Sequence, residues 1–439
     1  MGSYIPGTVA QQQSMLREIG FENFEQLYSA VPREMLIKGG LDIAPGLSEM
    51  EARRKMEDIS EKNVRFRHIF RGAGAYDHYI PAIVKSVTSK EEFVTAYTPY
   101  QAEISQGILQ SIFEYQSMIC DLTGMDVSNA SVYDGATAAA EAAAMCRDRK
   151  RNICLISACA NPMVRKTVET YCFGSGMQVV TIPEKNGLTD IEALEEALAE
   201  DSACMYIQQP NYFGCIEDAE RISDTVHAKG AKFIMGVYPI SLAVLKTPAE
   251  CGADIAVGDG QPLGIPLSFG GPYLGFMAAK EDMMRKLPGR IIGETTDAKG
   301  ERAFVLTLQA REQHIRREKA GSNICSNQAH CALTAAVYMA AMGPDGLREA
   351  AEQSASKAHY LAGLLQNAGL SLKYGVEFYN EFVTISNTPA VDILKALEKR
   401  GYLGGLSLGG KEILWCTTEK NTREEMDEVS EIIGEVRAV

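Results

Sequence analysis

The stretch DIAVGDGQPLGIPLSFGGPY, residues 254–273, joins a short apolar run to a loop rich in glycine and proline. A continuous apolar run is typical of a strand buried on both faces of a parallel sheet. Similar β-rich runs occur at 153–157, 177–182, 203–208, 232–237 and 273–279, and helical stretches lie between many of them, at 136–146, 162–173, 191–199 and 219–229. This alternation predicts an α/β fold with a large, mostly parallel sheet covered on both faces.

Two further segments flank this large α/β domain, which we place at residues 65–342. Residues 1–64 are predicted to be a helical arm, with amphipathic pieces at 11–20 and 24–31. Ser48 followed by Glu51 is a capping box that predicts a helix near 48–62. The arm has few candidate core residues, so we expect it to wrap another surface.

Residues 343–439 are predicted to form a small α+β domain that begins near Gly343 and Pro344. The pattern predicts helices at 346–368 and 390–400, strands at 382–386 and 412–417, and a last helix capped by Thr422 with Glu425. A further capping box, Thr189 with Glu192, is predicted to start the helix at 191–199.

Composition excludes several classes of protein. The 439 residues carry 43 Lys and Arg against 57 Asp and Glu, a net charge of −14, which argues against nucleic-acid binding. The longest apolar stretch, 331–342, is too short to span a bilayer, and the first residues lack a signal-peptide pattern, so we expect a cytoplasmic protein without membrane partners. The eleven Cys contain no C-x-x-C and the six His are scattered, which predicts reduced buried thiols and no metal site.

An arm, a large α/β domain and a small α+β domain are the layout of fold-type-I enzymes that use pyridoxal phosphate (PLP). Such a site needs a helix N-terminus for the cofactor phosphate. The turn YDGATAAAEAAAM, residues 133–145, offers Asp134, Gly135 and Thr137 for this purpose. A tight turn with a capped helix explains the pattern at least as well, because Asp134 would repel a phosphate.

The other two requirements of a PLP site are a carboxylate for the pyridinium nitrogen and a lysine for the imine. The predicted strand before Tyr238 ends without Asp or Glu. Gln261 stands at the centre of the glycine-rich loop, where the lysine is expected, and an amide cannot form an imine. Other lysines, Lys246, Lys280 and Lys319, fit surface or linker positions. This chain alone should therefore not bind PLP covalently.

Four long motifs then identify a family. TPYQAEISQG (98–107), YDGATAAAEA (133–142), GADIAVGDGQPLGIPLSFGGP (252–272) and LQAREQHIRREKAGSNIC (308–325) resemble the P-protein of the glycine cleavage system. The resemblance runs from the arm to the last helix. Length and motif order are similar to the N-terminal half of that protein, which lacks the PLP lysine and in many bacteria is a separate chain, subunit 1 of glycine dehydrogenase (decarboxylating).

The resemblance implies a partner and a reaction. A sister chain, subunit 2, would have the same fold and carry the PLP lysine, and the two would form a heterodimer that pairs into a heterotetramer. PLP would bind the amino group of glycine, CO2 would leave, and the aminomethyl group would pass to the lipoyl arm of H-protein. The present chain would complete the partner's site and the lipoyl entrance.

Two segments are candidates for that contribution. By resemblance the segment 97–106 lies near the partner's active-site mouth, although a buried structural loop is an equal alternative; its polar side chains are Tyr97, Tyr100, Gln101, Glu103 and Gln106. The second segment is basic and could face glycine's carboxylate, the cofactor phosphate or an acidic H-protein. A solvated or intersubunit salt-bridge cluster is its alternative explanation; the residues are Arg311, His314, Arg316 and Arg317.

Packing at a dimer interface is the expectation for residues 268–272 and for Gly289 with Arg290. Two other functions stay open from the sequence. One is a stand-alone PLP enzyme, which a lysine at position 261 would have supported. The other is a non-catalytic scaffold that kept the fold.

Overall fold

A computed structural model describes residues 7–37, 39–94, 98–324 and 327–438, which divide into two compact units, 1–65 and 66–439. The first unit holds helices α1 (Val9–Glu18) and α2 (Glu49–Ser60). Ser48 and Glu51 form the predicted capping box at the start of α2. The segment predicted at 24–31 is a short 3-10 helix, Phe24–Tyr28, and a second lies at Arg33–Met35. Leu16 is the one buried side chain among the described residues of this unit.

The second unit contains eleven further α-helices among its described residues. They are α3 (Ala82–Thr88), α4 (Glu91–Val94), α5 (Gln106–Thr123), α6 (Gly135–Cys146), α7 (Pro162–Ser175), α8 (Ile191–Ala197), α9 (Ala219–Ala228), α10 (Gln313–Arg316), α11 (Ala329–Asn367), α12 (Ala390–Lys399) and α13 (Arg423–Ala438). Short 3-10 helices lie at Ala102–Ile104, Pro239–Ala243, Glu281–Lys286, Gln309–Arg311 and Arg317–Lys319.

A seven-stranded sheet forms the centre of this unit. In chain order its strands are β1 (Val127–Ser128), β2 (Ile153–Ser157), β3 (Gln178–Ile182), β4 (Ser202–Gln209), β5 (Lys232–Val237), β6 (Ile255–Asp259) and β7 (Gly275–Ala279). Their order across the sheet is β1-β7-β6-β5-β4-β2-β3. The pairs β3-β2, β2-β4, β4-β5 and β5-β6 are parallel. Strand β7 runs antiparallel to both β6 and β1. The predicted large, mostly parallel sheet is therefore confirmed.

Both faces of this sheet are buried because successive side chains of a strand point to opposite sides. Leu155 of β2 packs in a core with residues of α5, α9 and α11, whereas its neighbours Cys154 and Ile156 pack against α6 and α7. Two separate hydrophobic cores thus lie on the two faces. This explains why the strands read as continuous apolar runs rather than as alternating ones.

The remaining strands form a hairpin, a second sheet and two short ladders. The hairpin consists of β8 (Ile291–Thr296) and β9 (Arg302–Thr307). The second sheet is antiparallel, in the order β10-β11-β13-β12, with β10 (Ser371–Leu372), β11 (Glu381–Ile385), β12 (Leu406–Gly409) and β13 (Glu412–Cys416). Two-residue ladders pair His68–Ile69 with Tyr402–Leu403, and Glu184–Lys185 with Leu188–Thr189.

Helix α11 is kinked at the position where the sequence predicts a break. Gly343 has φ 62° and ψ −179° inside the helix, directly before Pro344. Thr422 and Glu425 exchange the hydrogen bonds of a capping box at the start of α13, as predicted. The domain boundary at 342/343 itself stays a prediction.

The capping box expected at Thr189 and Glu192 is wrong. Asp190 caps α8, because its Oδ1 accepts from the backbone N–H groups of Glu192 and Ala193. The Thr189 hydroxyl is buried and donates to Glu217 Oε1 at 3.1 Å instead. Within the part of the chain that is described, no helix combines the length and the apolar character needed to cross a membrane.

Candidate functional site

A cleft of about 570 Å³ opens at the carboxyl ends of the parallel strands β4, β5 and β6. Ligands of open α/β sheets bind at this edge. The walls come from the segment 72–76, the start of α6, and the loops after β5 and β6. The predicted cofactor positions Asp134, Gly135 and Tyr238 line this cleft. Gln261 lies beside it, because it is hydrogen-bonded to two lining residues, Tyr76 and Asp259.

Gln261 is buried and fully hydrogen-bonded. Its Oε1 accepts from the Tyr76 N–H at 2.8 Å, and its Nε2 donates to the carbonyl oxygens of Tyr76 (2.9 Å) and Ile265 (2.8 Å). An amide can accept and donate at once, whereas an ammonium group only donates. Gln261 thus ties the segment before α3 to the loop after β6, and it presents no nucleophile to the cleft.

The N-terminus of α6 already holds two carboxylates. Asp134 caps the helix by accepting from the Thr137 N–H at 2.7 Å. Asp259, at the end of β6, accepts from the Gly135 N–H at 3.1 Å and from the Gln261 N–H at 2.9 Å. Burial raises the pKa of Asp259 to about 7, and the nearby charge of Asp134 contributes to this rise. An incoming phosphate would meet carboxylates where it needs free N–H donors.

Tyr238, directly after β5, also belongs to a buried network. Its ring lies 4.3 Å from the ring of Tyr76, centroid to centroid, and its hydroxyl bonds to His78 Nε2. His78 Nδ1 lies 2.6 Å from Glu419 Oε2, so the imidazole links the Tyr238 hydroxyl to this carboxylate. Burial raises the pKa of Tyr238 well above its ordinary range. The residue that directly follows β5 is therefore a buried phenol, which does not supply the negative charge that a pyridinium nitrogen needs.

A second buried carboxylate holds the segment 72–76 in place. Glu381 of β11 accepts from the Ala73 N–H at 2.6 Å and from the Tyr76 hydroxyl at 2.8 Å. Burial raises the pKa of Glu381 to about 7, although these two hydrogen bonds oppose the rise. Tyr76 in turn bonds to Gln261, so one network runs from β11 to the loop after β6.

These residues do not fit PLP. The described lining of the cleft contains no lysine, and its helix N-terminus is occupied by Asp259. Lys246 pairs with Glu220, Lys280 pairs with Asp254, and Lys319 lines a different cavity. The cleft keeps the shape of a cofactor site without the groups that would hold the cofactor.

The first predicted partner-facing segment is only partly described, because Tyr97 lies outside the described residues. Gln106 is structural: its side chain donates to the Phe304 carbonyl at 2.9 Å and accepts from the Phe304 N–H at 2.8 Å, which fastens α5 to β9. Tyr100 is half exposed, whereas Gln101 and Glu103 are exposed. The segment therefore combines an anchored end with polar side chains at the surface.

The basic segment makes mostly backbone contacts. Arg311 donates to the carbonyl oxygens of Leu308 (3.2 Å), Gly289 (3.0 Å) and Leu287, and burial lowers the pKa of this guanidinium. Arg316 donates to the Ala310 carbonyl at 3.1 Å. Arg317 is exposed and has φ 53°. His314 Nδ1 lies 3.5 Å from Glu312 Oε2.

Tyr100 contacts both His314 and Arg290, a residue that the sequence did not mark as functional. The rings of Tyr100 and His314 meet edge to face at 6.2 Å, and Arg290 Nη2 donates to the Tyr100 hydroxyl at 3.3 Å. Arg290 is 5% exposed and has no ion pair with any described residue. The sequence interpretation assigned it to interface packing. The sequence did not mark Asp259, His78 or Glu419 as functional either, although Asp259 stands only two residues before Gln261.

The architecture defines a class of protein. A NifS-like protein is matched with a TM-score of 0.64 at 15% identity, over 85% of this chain and 99% of that one. An aspartate aminotransferase from Thermus thermophilus is matched with a TM-score of 0.60 at 14% identity, over 84% and 98%. This chain therefore has the fold of the fold-type-I PLP-dependent enzymes.

Sequence comparisons narrow the class. The profile of the family described as "Glycine cleavage system P-protein" matches residues 2–433. Proteins named "Probable glycine dehydrogenase (decarboxylating) subunit 1" are 48% identical in Desulforamulus reducens, over 99% of both chains, and 48% identical in Syntrophomonas wolfei, over 98% of this chain and 99% of that one. A crystal structure of glycine decarboxylase (P-protein) in inhibitor-bound form has a TM-score of 0.92 at 39% identity, over 99% and 100%. The chain belongs to the glycine cleavage system P-protein family, which is PLP-dependent.

Proposed function

We propose that this chain is the cofactor-free subunit of a two-subunit glycine decarboxylase in the cytoplasm. A second subunit with the same fold supplies the lysine and the PLP, which acts as the electron sink when CO2 leaves glycine. The two chains form a heterodimer that pairs into a heterotetramer and delivers the aminomethyl group to the lipoyl arm of H-protein. The word "subunit 1" in the names of the relatives supports a second chain.

The observation that carries this proposal is the environment of Gln261. Its three hydrogen bonds turn the imine position into a structural tie between Tyr76 and Ile265. Asp259 at the start of α6 supports the same conclusion independently, because it supplies an internal anion at the phosphate position. Two separate requirements of the cofactor are replaced by contacts within the chain.

The contribution of this chain to the partner's site is assigned to the surface around Tyr100. Tyr100 is 51% exposed, and its ring lies 5.4 Å from the guanidinium carbon of Arg290. A buried cation without a counter-ion is costly, so Arg290 is suited to an anion brought by the substrate or the partner subunit. Gln101, Glu103 and His314 complete this proposed surface, whereas Gln106 positions it through β9.

The direct test is the exchange of labelled bicarbonate into the carboxyl group of glycine, with PLP and H-protein present. We expect no exchange by this chain alone and strong exchange when the second subunit is added. Exchange by this chain alone would make it a stand-alone enzyme. If the second subunit alone gave full exchange and adding this chain did not change it, this chain would be a non-catalytic scaffold.

A further inference from the structure

A second cavity, of about 330 Å³, lies at the opposite end of α6 from the cleft. Its walls are the C-terminal half of α6, the segment 285–289 and the segment 311–324. The cleft contacts α6 at residues 134–136, about ten residues earlier, which corresponds to roughly 15 Å along the helix axis. The two cavities share no lining residue.

The walls of this cavity are strongly basic. Six of its seventeen lining residues are Lys or Arg, in a chain where these types make up 43 of 439. They converge from three separate segments of the chain, so the clustering is produced by the fold and not by one basic run; the residues are Arg147, Arg285, Lys286, Arg311, Arg316 and Lys319. Like charges gathered in a concave site repel one another unless a counter-charge is present.

Some of these cations are already used within the chain. Arg311 donates to the carbonyl oxygens of the segment 287–289, and Lys286 donates to the Met145 carbonyl at 3.0 Å. Arg147, Arg285 and Lys319 are exposed at the cavity and have no ion pair with any described residue. Three cationic groups are therefore available to a ligand.

The two acidic residues of the lining do not neutralise them. Glu141 accepts from the Ser322 hydroxyl at 2.9 Å, and Glu312 faces His314. Glu141 lies on α6 at the floor of the cavity and is 3% exposed. Neither carboxylate forms an ion pair with a cation of this cavity in the described part of the chain.

We propose that this cavity is a binding site for a small phosphate-bearing anion, separate from the degenerate cofactor cleft. Guanidinium groups bind phosphate oxygens through paired N–H donors, and three unpaired cations suit a doubly charged oxyanion better than a monocarboxylate. The anion is free inorganic phosphate or a phosphate monoester of small size. The site does not depend on the function proposed above.

The test is calorimetric titration of the full-length chain, at constant ionic strength, with inorganic phosphate, glycerol 3-phosphate and acetate in turn. The double variant Arg147→Ala/Arg285→Ala removes two exposed cations from the cavity. The matched control is Arg348→Ala/Lys399→Ala, which removes two exposed cations elsewhere and gives the same change in net charge. We expect phosphate or its ester to bind the wild type and the control equally, acetate to bind much more weakly, and the cavity variant to bind at least about tenfold more weakly.

Comparison of inorganic phosphate with glycerol 3-phosphate distinguishes the two possible ligands. Tighter binding of the ester indicates a phosphorylated metabolite, and equal binding indicates the free ion. Equal affinity of both double variants for phosphate would overturn the proposal, because the ion would then bind elsewhere. So would the absence of phosphate binding to the wild type at millimolar concentration. In that second case, a salt-sensitive loss of affinity for the second subunit in the cavity variant would show that the cavity receives an acidic protein surface instead.

Discussion

Asp259 Oδ2 accepts a hydrogen bond from the Gly135 N–H at 3.1 Å, at the first turn of α6. A phosphate at a helix N-terminus uses free N–H groups of this kind. The chain therefore satisfies, with its own carboxylate, the group that would otherwise recruit the cofactor. Together with Gln261, this contact explains how the fold of a PLP enzyme can persist without a covalent cofactor site.

We expect Gln261→Lys not to restore the cofactor site. The lysine would leave the Tyr76 N–H without an acceptor and bury an ammonium group, which lowers the free energy of unfolding by about 3 kcal/mol or more. Adding PLP should produce no imine absorbance, and exchange by the variant alone should stay absent. Gln366→Lys, at an exposed position of α11, is the control and should leave stability unchanged within about 0.5 kcal/mol. An imine band in the Gln261 variant would contradict the assigned role of Asp259.

We expect Gly135→Ala to destabilise the chain although alanine favours helices. A Cβ at this position would lie 2.7 Å from the backbone nitrogen of Asp259, and backbone cannot yield as a flexible side chain does. The cost should be about 1–3 kcal/mol, measured by denaturant unfolding. Gly363→Ala in α11 is the matched control, because nothing lies within 4 Å of the place that its methyl group would take, and it should gain about 0.5–1 kcal/mol. If both substitutions changed the free energy of unfolding in the same direction, α6 would not be packed tightly against β6 at Gly135.

We expect stability to fall as pH rises from about 4.5 to 7, partly because of Glu141. Burial raises the pKa of Glu141 from its ordinary 4.5 to about 7, so between these values the folded chain holds a proton that the unfolded chain has lost. The loss is complete above pH 7 and amounts to about 3 kcal/mol. Glu141→Gln removes this pH-dependent loss of stability. The variant should therefore be more stable than the wild type at pH 8, and the two should have nearly the same free energy of unfolding at pH 4. Unfolding curves at several pH values give the difference, and a difference independent of pH would refute the role of Glu141.

We expect Tyr100→Ala to reduce bicarbonate exchange by the two-subunit complex about tenfold or more, without unfolding the chain. Tyr100 is half exposed and covers Arg290, so its loss removes a side chain from the proposed partner-facing surface and hydrates the guanidinium. Phe173→Ala, at an 88% exposed position on α7, is the control for loss of an exposed aromatic side chain. Normal exchange by the Tyr100 variant, at equal thermal stability, would remove Tyr100 from the proposed surface.

Several elements of the fold could be predicted because they depend on local patterns. Strands at 153–157 and 232–237 have the predicted bounds, and the start of α6 and the kink at Gly343 lie within one residue of the expected positions. Continuous apolar runs and glycine or proline breaks are short-range signals. The predicted cap of α8 is wrong, because Thr189 is engaged by Glu217, 28 residues away.

The site was less predictable, since its decisive contacts are long-range. Gln261 and Tyr238 could be singled out because they do not supply the lysine and the carboxylate that a PLP site needs at these positions. Their partners could not, because Tyr76 lies 185 residues from Gln261, and Glu419 lies 341 residues from His78. A sequence motif marks one end of such a contact and gives no sign of the other. Arg290 is a third residue of this kind: it is buried and has no ion pair with any described residue, and burial of a charge is visible only in the folded chain.

The hydrogen bond between Asp259 and Gly135 also has an evolutionary consequence. To regain the cofactor, a descendant would need a lysine at 261, a carboxylate at 238, and the removal of the Asp259 side chain from α6. Each change alone removes a buried contact and leaves the other requirements of the cofactor unmet, so we expect every single-step intermediate to lose stability without gaining a cofactor site. If two chains divide the labour as proposed above, we expect a genome that keeps this chain to keep its partner as well.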